Sequence, residues 1–182
     1  MLSTITYEPG FLEAPADIFT KLWETLAWER RGSTPRREFY CNDVGVPYTY
    51  GTGVGERTYH PAPWTPEILA IKSAVEAELG CSMEVCFLNG YENSRDHLGW
   101  HADDSPEMDD GRPIAIVTLG AEREIWFAPA ADRTDVTRVL LASGSLCVMA
   151  PGMQDTHVHR IPKADRECGP RISLTFRGYA AV

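Results

Sequence analysis

Six short apolar runs in the second half of the chain constrain the fold more than any other feature. Turn-forming clusters such as Asp109-Asp110-Gly111 separate them, and no helical pattern lies between them. Short runs at this spacing predict the strands of an antiparallel sandwich or barrel, such as a jelly roll. The runs are Val85–Leu88, Ile114–Leu119, Ile125–Phe127, Val139–Leu141, Leu146–Met149 and Arg171–Arg177.

The first half of the chain contains two predicted helices. Apolar residues recur at intervals of three and four from Pro15 to Leu26, which is typical of an amphipathic helix. A second helix is predicted after Thr65 as N-cap, with Pro66 in its first turn and Gly80 as its stop. The fold class is therefore α+β and mostly β, with a jelly-roll core flanked by N-terminal helices.

Composition narrows the class of protein further. A chain of 182 residues with 43% hydrophobic content can bury a core, which excludes a disordered protein. The formal charge of -9 argues against a surface that binds nucleic acid through bulk charge. The chain shows neither a leader pattern nor an apolar run long enough for a membrane span, so we expect a cytoplasmic protein without a membrane partner. Its five cysteines form no CxxC pair and are expected to be thiols.

His101 and Asp103, with a more distant histidine, form a candidate metal site. Residues two apart on an extended strand face the same side, so an imidazole and a carboxylate can enter one cavity. A third ligand from a facing strand, in the segment that contains His159, completes a triad. Two histidines and one carboxylate leave positions open for a bidentate cosubstrate and O2, as in non-haem Fe(II) oxygenases. The alternative is that these histidines are ordinary core or surface residues.

The last predicted strand places two arginines on one face. Ile172, Leu174 and Phe176 form its apolar face, so Arg171 and Arg177 share the other. If that polar face lines the barrel interior, the guanidinium groups need an anion, and a dicarboxylic acid would supply one. The alternative is an edge strand with solvated arginines.

Taken in order, these segments resemble the AlkB family of Fe(II)/2-oxoglutarate-dependent dioxygenases. The motifs that carry the resemblance are Leu88–Tyr91, His97–Asp104, Arg112–Ala121, His159–Pro162 and Pro170–Arg177. Upstream, Pro35–Arg37, Tyr48–Gly51 and Pro63–Pro66 resemble the family's nucleotide-recognition region. The resemblance implies one dioxygenase domain over 1–182, with helices and nucleotide recognition in 1–82 and a jelly-roll catalytic core in 83–182.

The resemblance also implies a role for each matching position. His101, Asp103 and His159 would bind Fe(II) as the catalytic centre, and the spacing to Arg171 favours His159 over His157. The positions that would bind 2-oxoglutarate are Asn89, Tyr91, Arg171, Ser173 and Arg177. The contact from Ser173 is expected to be weaker, since some members carry an asparagine there.

The implied activity is oxidative demethylation of N-methylated bases in nucleic acid, of the 1-methyladenine and 3-methylcytosine type, which repairs alkylation damage. The reaction would consume O2 and 2-oxoglutarate and release formaldehyde, succinate and CO2. Tyr50 would stack on a flipped base, and Arg36 would contact that base or its surroundings. Asp104 and Ser105 would lie at the base edge, where close duplex-repair relatives carry a carboxylate at the position of Ser105.

The expected partner is methylated DNA or RNA. A duplex-penetrating hydrophobic insertion is missing before Pro35, so single strands are at least as favoured as duplex. Arg30, Arg31, Arg36 and Arg37 lie together without an acidic neighbour in 30–37, which predicts a local basic rim despite the overall charge. We expect a monomer, cytoplasmic or nuclear if the organism is eukaryotic.

Two other functions stay open. One is an oxygenase of the same chemistry that acts on a protein or a small molecule, which the acidic balance and Ser105 favour. The other is a non-enzymatic β-sandwich binding module with structural histidines.

Overall fold

Antiparallel β-strands dominate the computed structural model, which describes residues 4–32, 34–50 and 56–180 without the Tyr50 side chain. The elements in chain order are β1 (Ile5–Glu8), α1 (Pro15–Thr25), β2 (Arg37–Asn42), β3 (Tyr48–Tyr50), β4 (Arg57–Tyr59), α2 (Pro66–Leu79), β5 (Val85–Tyr91), β6 (Leu98–His101), β7 (Ile114–Gly120), β8 (Arg123–Pro129), β9 (Thr137–Leu141), β10 (Leu146–Met149), α3 (Met153–Thr156), β11 (His157–Ile161) and β12 (Arg171–Arg177).

Two sheets form the core. The larger has six strands in the order β1-β10-β7-β12-β5-β2, and the smaller has four in the order β6-β11-β8-β9. Apolar side chains from both sheets pack between them, among them Ile116 of the larger sheet and Phe127 of the smaller. This arrangement confirms the predicted jelly-roll core. A third, two-stranded sheet consists of β3 and β4.

Both long helices cover the outer face of the six-stranded sheet. Leu22 of α1 and Ile68 of α2 belong to the same buried cluster as Leu174 of β12. Helix α2 begins and ends as predicted, since Thr65 Oγ1 accepts a hydrogen bond from the Ile68 amide and Gly80 closes the helix with φ 67°. None of the described helices is long and apolar enough to cross a membrane.

The N-terminal part of the chain contributes more strand than its sequence predicts. Strands β1 and β2 join the six-stranded sheet, although they precede residue 83. The sequence of strand β2 lacks the alternation of polar and apolar residues that predicts a strand. Five of its six residues are buried, including the polar Glu38 and Asn42. The division of the domain between 82 and 83 stays a prediction.

Candidate active site

Strands β6 and β11 bring the three predicted metal ligands together. His101 ends β6, Asp103 follows two residues later, and His159 on β11 is the register partner of His101. One ligand atom from each residue lies within 4.8 Å of the others. The Nε2 atoms of His101 and His159 lie 3.9 and 3.7 Å from the Asp103 carboxylate. The neighbouring His157 instead pairs its Nδ1 with Thr156 Oγ1 at 2.8 Å.

The electrostatics of this cluster suit a divalent cation. Burial, reinforced by the neighbouring His101, lowers the pKa of His159 to about 3, so its imidazole is neutral and offers a lone pair. Burial works to raise the pKa of Asp103, but Arg177 and the two histidines outweigh it and hold the pKa below its usual value. Two imidazoles and one carboxylate on a cavity wall are the donor set of a non-haem Fe(II) site.

Gln154 fixes the backbone of the carboxylate ligand. Its Oε1 accepts a hydrogen bond from the Asp103 amide at 2.9 Å, and its Nε2 donates to Met149 Sδ at 3.4 Å. Only 9% of Gln154 is exposed. No motif in the sequence pointed to this residue, which lies on the short helix α3, about fifty positions from its partner.

The two predicted cosubstrate arginines are buried on β12. Arg171 donates from Nη2 to Thr118 Oγ1 at 3.0 Å, and its guanidinium lies 5.2 Å from the centre of the Tyr91 ring. Arg177 Nη1 lies 3.6 Å from the Asp103 carboxylate. Strand β12 pairs with β5 on one side and β7 on the other. The alternative of an edge strand with solvated arginines is therefore wrong.

These arginines fit a dianionic cosubstrate. Within the described residues, Nε and Nη1 of both side chains are buried and have no hydrogen-bond partner. Burial lowers the pKa of Arg171 to about 10, and the neighbouring Tyr91 opposes this only in part. A dicarboxylate such as 2-oxoglutarate would satisfy these donors. Arg177 lines the cavity together with Asn89, Tyr91 and Ser173, whereas Arg171 is not on its wall and lies against the Tyr91 ring.

The predicted substrate residues are not all brought to the cavity. Arg36 lines it, but its Nε donates to Asn89 Oδ1 at 2.6 Å and its Nη2 to Glu38 at 2.8 Å. Ser105 pairs its hydroxyl with Tyr48 OH at 2.7 Å, whereas Asp104 is exposed. The Tyr50 side chain lies outside the described part of the structure, so its predicted stacking role stays a prediction.

Sequence reasoning missed the aromatic wall of this cavity, formed by Tyr48, Tyr59 and Phe87. The rings of Tyr48 and Tyr59 stack at 6.3 Å with 24° between their planes. The edge of Phe87 meets Tyr59 at 4.9 Å and 89°. The wall takes one residue from each of β3, β4 and β5, so no local spacing reveals it.

The predicted basic rim is largely neutralised. All four arginines between 30 and 37 form ion pairs with acidic residues of this chain. Arg171 and Arg177 add no charge to the surface, since both are buried. The expectation of a free cationic rim was wrong, because the acidic partners lie just outside 30–37, at Glu29 and Glu38, or in a distant segment, at Glu92 and Asp96.

Comparisons with known proteins agree with this site. A family model described as the 2OG-Fe(II) oxygenase superfamily matches residues 19–177. The DNA oxidative demethylase ALKBH2 of Mus musculus is 33% identical over 174 residues, which cover 91% of this chain and 71% of the relative. The alpha-ketoglutarate-dependent dioxygenase alkB homolog 3 of Bos taurus is 30% identical, covering 97% and 66%. The solved structure of OsALKBH1 shares the fold, with a TM-score of 0.71 at 19% identity over 98% of each chain.

Proposed function

Because this chain belongs to the AlkB family of the 2OG-Fe(II) oxygenase superfamily, we propose that it removes N-methyl groups from bases in nucleic acid. It is an Fe(II)- and 2-oxoglutarate-dependent dioxygenase, which excludes the non-enzymatic binding module. The observation that carries the proposed substrate is one cavity lined by both the His-Asp-His cluster and the aromatic wall. Aromatic rings hold a flat base beside a reactive centre by stacking.

The chain's own residues bind and orient the reactants. His101, Asp103 and His159 would hold Fe(II), while Arg171 and Arg177 would bind the two ends of 2-oxoglutarate. When bound, the iron, the cosubstrate and O2 supply the oxidising power that hydroxylates an N-methyl carbon. The hydroxymethyl group then leaves as formaldehyde, with succinate and CO2 as the other products. The buried walls exclude water from the reacting methyl group.

We infer a lesion of the 1-methyladenine or 3-methylcytosine type. Tyr48 supports this inference, since it lines the cavity and its hydroxyl, which pairs with Ser105, can donate to or accept from a base edge. We infer that single-stranded DNA or RNA is at least as favoured as duplex. All four arginines in 30–37 are paired with acidic residues of this chain, which leaves this segment without a free cation for a second phosphate backbone. We propose that the enzyme works as a monomer in the cytoplasm.

A turnover assay tests the proposal. The purified enzyme, supplied with Fe(II), ascorbate and 2-oxoglutarate, is given single- and double-stranded oligonucleotides that carry one methylated base. We expect formaldehyde release matched by succinate, and we expect Asp103→Ala to lower it by at least about 100-fold, since the variant lacks the only anionic ligand of the cluster.

Failure to act on every methylated oligonucleotide would refute the nucleic-acid substrate. Stimulation of 2-oxoglutarate consumption by a methylated peptide or small molecule, measured by mass spectrometry, would then support the alternative substrate class. The acidic net charge of -9 is the observation that favours this alternative.

A further inference from the structure

A fully buried carboxylate, Glu38, lies between the cavity and the β3–β4 hairpin. Its side chain has 0% exposure, and it belongs to no metal cluster. Oε1 accepts a hydrogen bond from Arg36 Nη2 at 2.8 Å, and Oε2 accepts one from Tyr59 OH at 2.9 Å. Arg57 Nη1 of the same hairpin lies 3.8 Å from Oε1. The carboxylate thus accepts one hydrogen bond from Arg36 and another from Tyr59 of the hairpin.

Through Arg36, the hydrogen bonds of Glu38 extend to β5, which pairs with β12 and carries predicted 2-oxoglutarate residues. Arg36 donates from Nε to Asn89 Oδ1 at 2.6 Å. Asn89 lies on β5 opposite Ser173 of β12, and both line the cavity. Because Asn89 Oδ1 is occupied by Arg36, the amide orientation is fixed and its Nδ2 hydrogens face other partners. Glu38 holds Arg36 in the position that makes this possible.

On the other side, Glu38 helps to anchor the β3–β4 hairpin. In the described part of the chain, β3 and β4 form a sheet of their own and share no backbone ladder with the two larger sheets. Their placement depends on the aromatic wall and on three side-chain hydrogen bonds, from Tyr59 to Glu38, between Tyr48 and Ser105, and from Arg31 to the Thr58 carbonyl. Burial, together with the Glu38 charge, raises the pKa of Tyr59 to about 12, so its phenol remains a donor at neutral pH.

We propose that Glu38 is a positioning residue that couples the binding of 2-oxoglutarate to the placement of the β3–β4 hairpin. Removal of its charge weakens the bonds to Arg36 and to Tyr59 at once, because hydrogen bonds to an ionised group are stronger than those to a neutral amide. Asn89 then loses its fixed orientation, and the hairpin loses its link to the sheet. The inference rests on the 2-oxoglutarate site and is independent of the methylated substrate proposed above.

The test compares Glu38→Gln with the wild-type enzyme, both loaded with Mn(II) and given no nucleic acid. Calorimetric titration measures 2-oxoglutarate affinity, and hydrogen exchange follows the amides of 48–50 and 57–59 with and without the cosubstrate. We expect Glu38→Gln to bind 2-oxoglutarate about tenfold more weakly. We also expect 2-oxoglutarate to slow hairpin exchange in the wild type and to leave it unchanged in the variant.

Glu78→Gln is the matched control. Glu78 is exposed on helix α2 and forms no ion pair or side-chain hydrogen bond among the described residues. This variant is expected to keep wild-type affinity and wild-type exchange. A Glu38→Gln protein that matches the control in either measurement would overturn the proposal.

A second variant, Tyr59→Phe, keeps the test decisive if Glu38→Gln does not fold. It removes only the donor on the hairpin side and leaves the ring in the aromatic wall. We expect faster hairpin exchange and a loss of the slowing by 2-oxoglutarate. Unchanged exchange in Tyr59→Phe would contradict the coupling, whatever the outcome of the formaldehyde assay.

Discussion

Arg171 shows how one buried side chain can oppose folding and still serve binding. It has 0% exposure, and its one hydrogen bond among the described residues goes to a neutral hydroxyl, Thr118 Oγ1. No carboxylate of the described chain forms an ion pair with it. Because a buried charge without a counter-ion is unfavourable, the free energy that this arginine costs the empty protein is recovered when an anion binds.

We therefore expect Arg171→Met to weaken 2-oxoglutarate binding without lowering the stability of the cosubstrate-free protein. The variant should bind 2-oxoglutarate at least about 100-fold more weakly, since it loses a desolvated charge pair. Without the cosubstrate, it should melt at the same temperature as the wild type or higher. Thermal melts with and without 2-oxoglutarate measure both effects, and Arg133→Met, at an exposed position, should change neither. Unaltered affinity in Arg171→Met would show that the cosubstrate binds elsewhere.

At the scale of single residues, the sequence predicts the functional side chains that lie a short, regular distance apart in the chain. His101 and Asp103 lie two residues apart, and the arginines of β12 alternate with core residues, so both patterns are readable. Glu38, Tyr59 and Gln154 were missed because each acts on a partner far away in the chain. Only the packed structure defines those pairs.

Among the elements, the turn after β7 depends on one glycine. Gly120 adopts φ +85°, a left-handed conformation that residues with a Cβ rarely adopt. A Cβ at this position would lie 2.5 Å from the Pro170 carbonyl oxygen and 2.8 Å from the Phe19 ring. The missing side chain thus allows α1 and the segment before β12 to pack closely on the end of β7.

We therefore expect Gly120→Ala to lower the free energy of unfolding by about 2–4 kcal/mol, from backbone strain and overpacking together. Urea denaturation measures this loss. Gly169→Ala is the control, because a Cβ there meets no atom within 4 Å, and a change under about 0.5 kcal/mol is expected. Equal stability of the two variants would disprove the close packing at the turn.

The elements that the sequence predicted share one property, which is an uninterrupted apolar or alternating pattern. Strand β7 is apolar throughout apart from Thr118 and its terminal Gly120, and α2 has a capping threonine and a closing glycine. Strands β2 and β11 carry charged and polar residues at buried positions, which ordinary patterning assigns to solvent. The Glu38 carboxylate, for example, accepts a hydrogen bond from Tyr59, a partner that only tertiary packing supplies, so the local signal is lost.

On the scale of the whole molecule, Arg112 joins three distant segments. Its guanidinium pairs with Glu84 at 2.9 Å and Asp109 at 2.8 Å, and donates to the Tyr179 carbonyl. Burial works to raise the pKa of Glu84, but hydrogen bonds from Arg112, Ser82 and the Tyr179 amide outweigh it and lower the pKa to about 2. The start of β5, the loop before β7 and the residues after β12 are thereby held together.

This depressed pKa predicts part of the acid sensitivity of the protein. The ionised Glu84 contributes stability that is complete above the ordinary pKa of 4.5 and is lost as the pH falls toward about 2. Glu84→Gln should be less stable than the wild type at pH 7, and its stability should fall less steeply between these two pH values. Urea denaturation at a series of pH values measures the difference. The exposed Glu13→Gln should follow the wild-type curve, and a Glu84→Gln curve parallel to it would contradict the prediction.

Each of the two large sheets supplies a different part of the active site. The metal ligands lie on or beside β6 and β11 of the smaller sheet, whereas the cosubstrate arginines belong to β12 of the larger sheet, and Arg177 meets Asp103 across the gap. Residues of both halves of the sandwich would therefore hold the same bound iron and 2-oxoglutarate. Loading the site would then oppose any motion that slides one sheet over the other, so we expect the rigidity of this enzyme to follow the supply of its metal and cosubstrate.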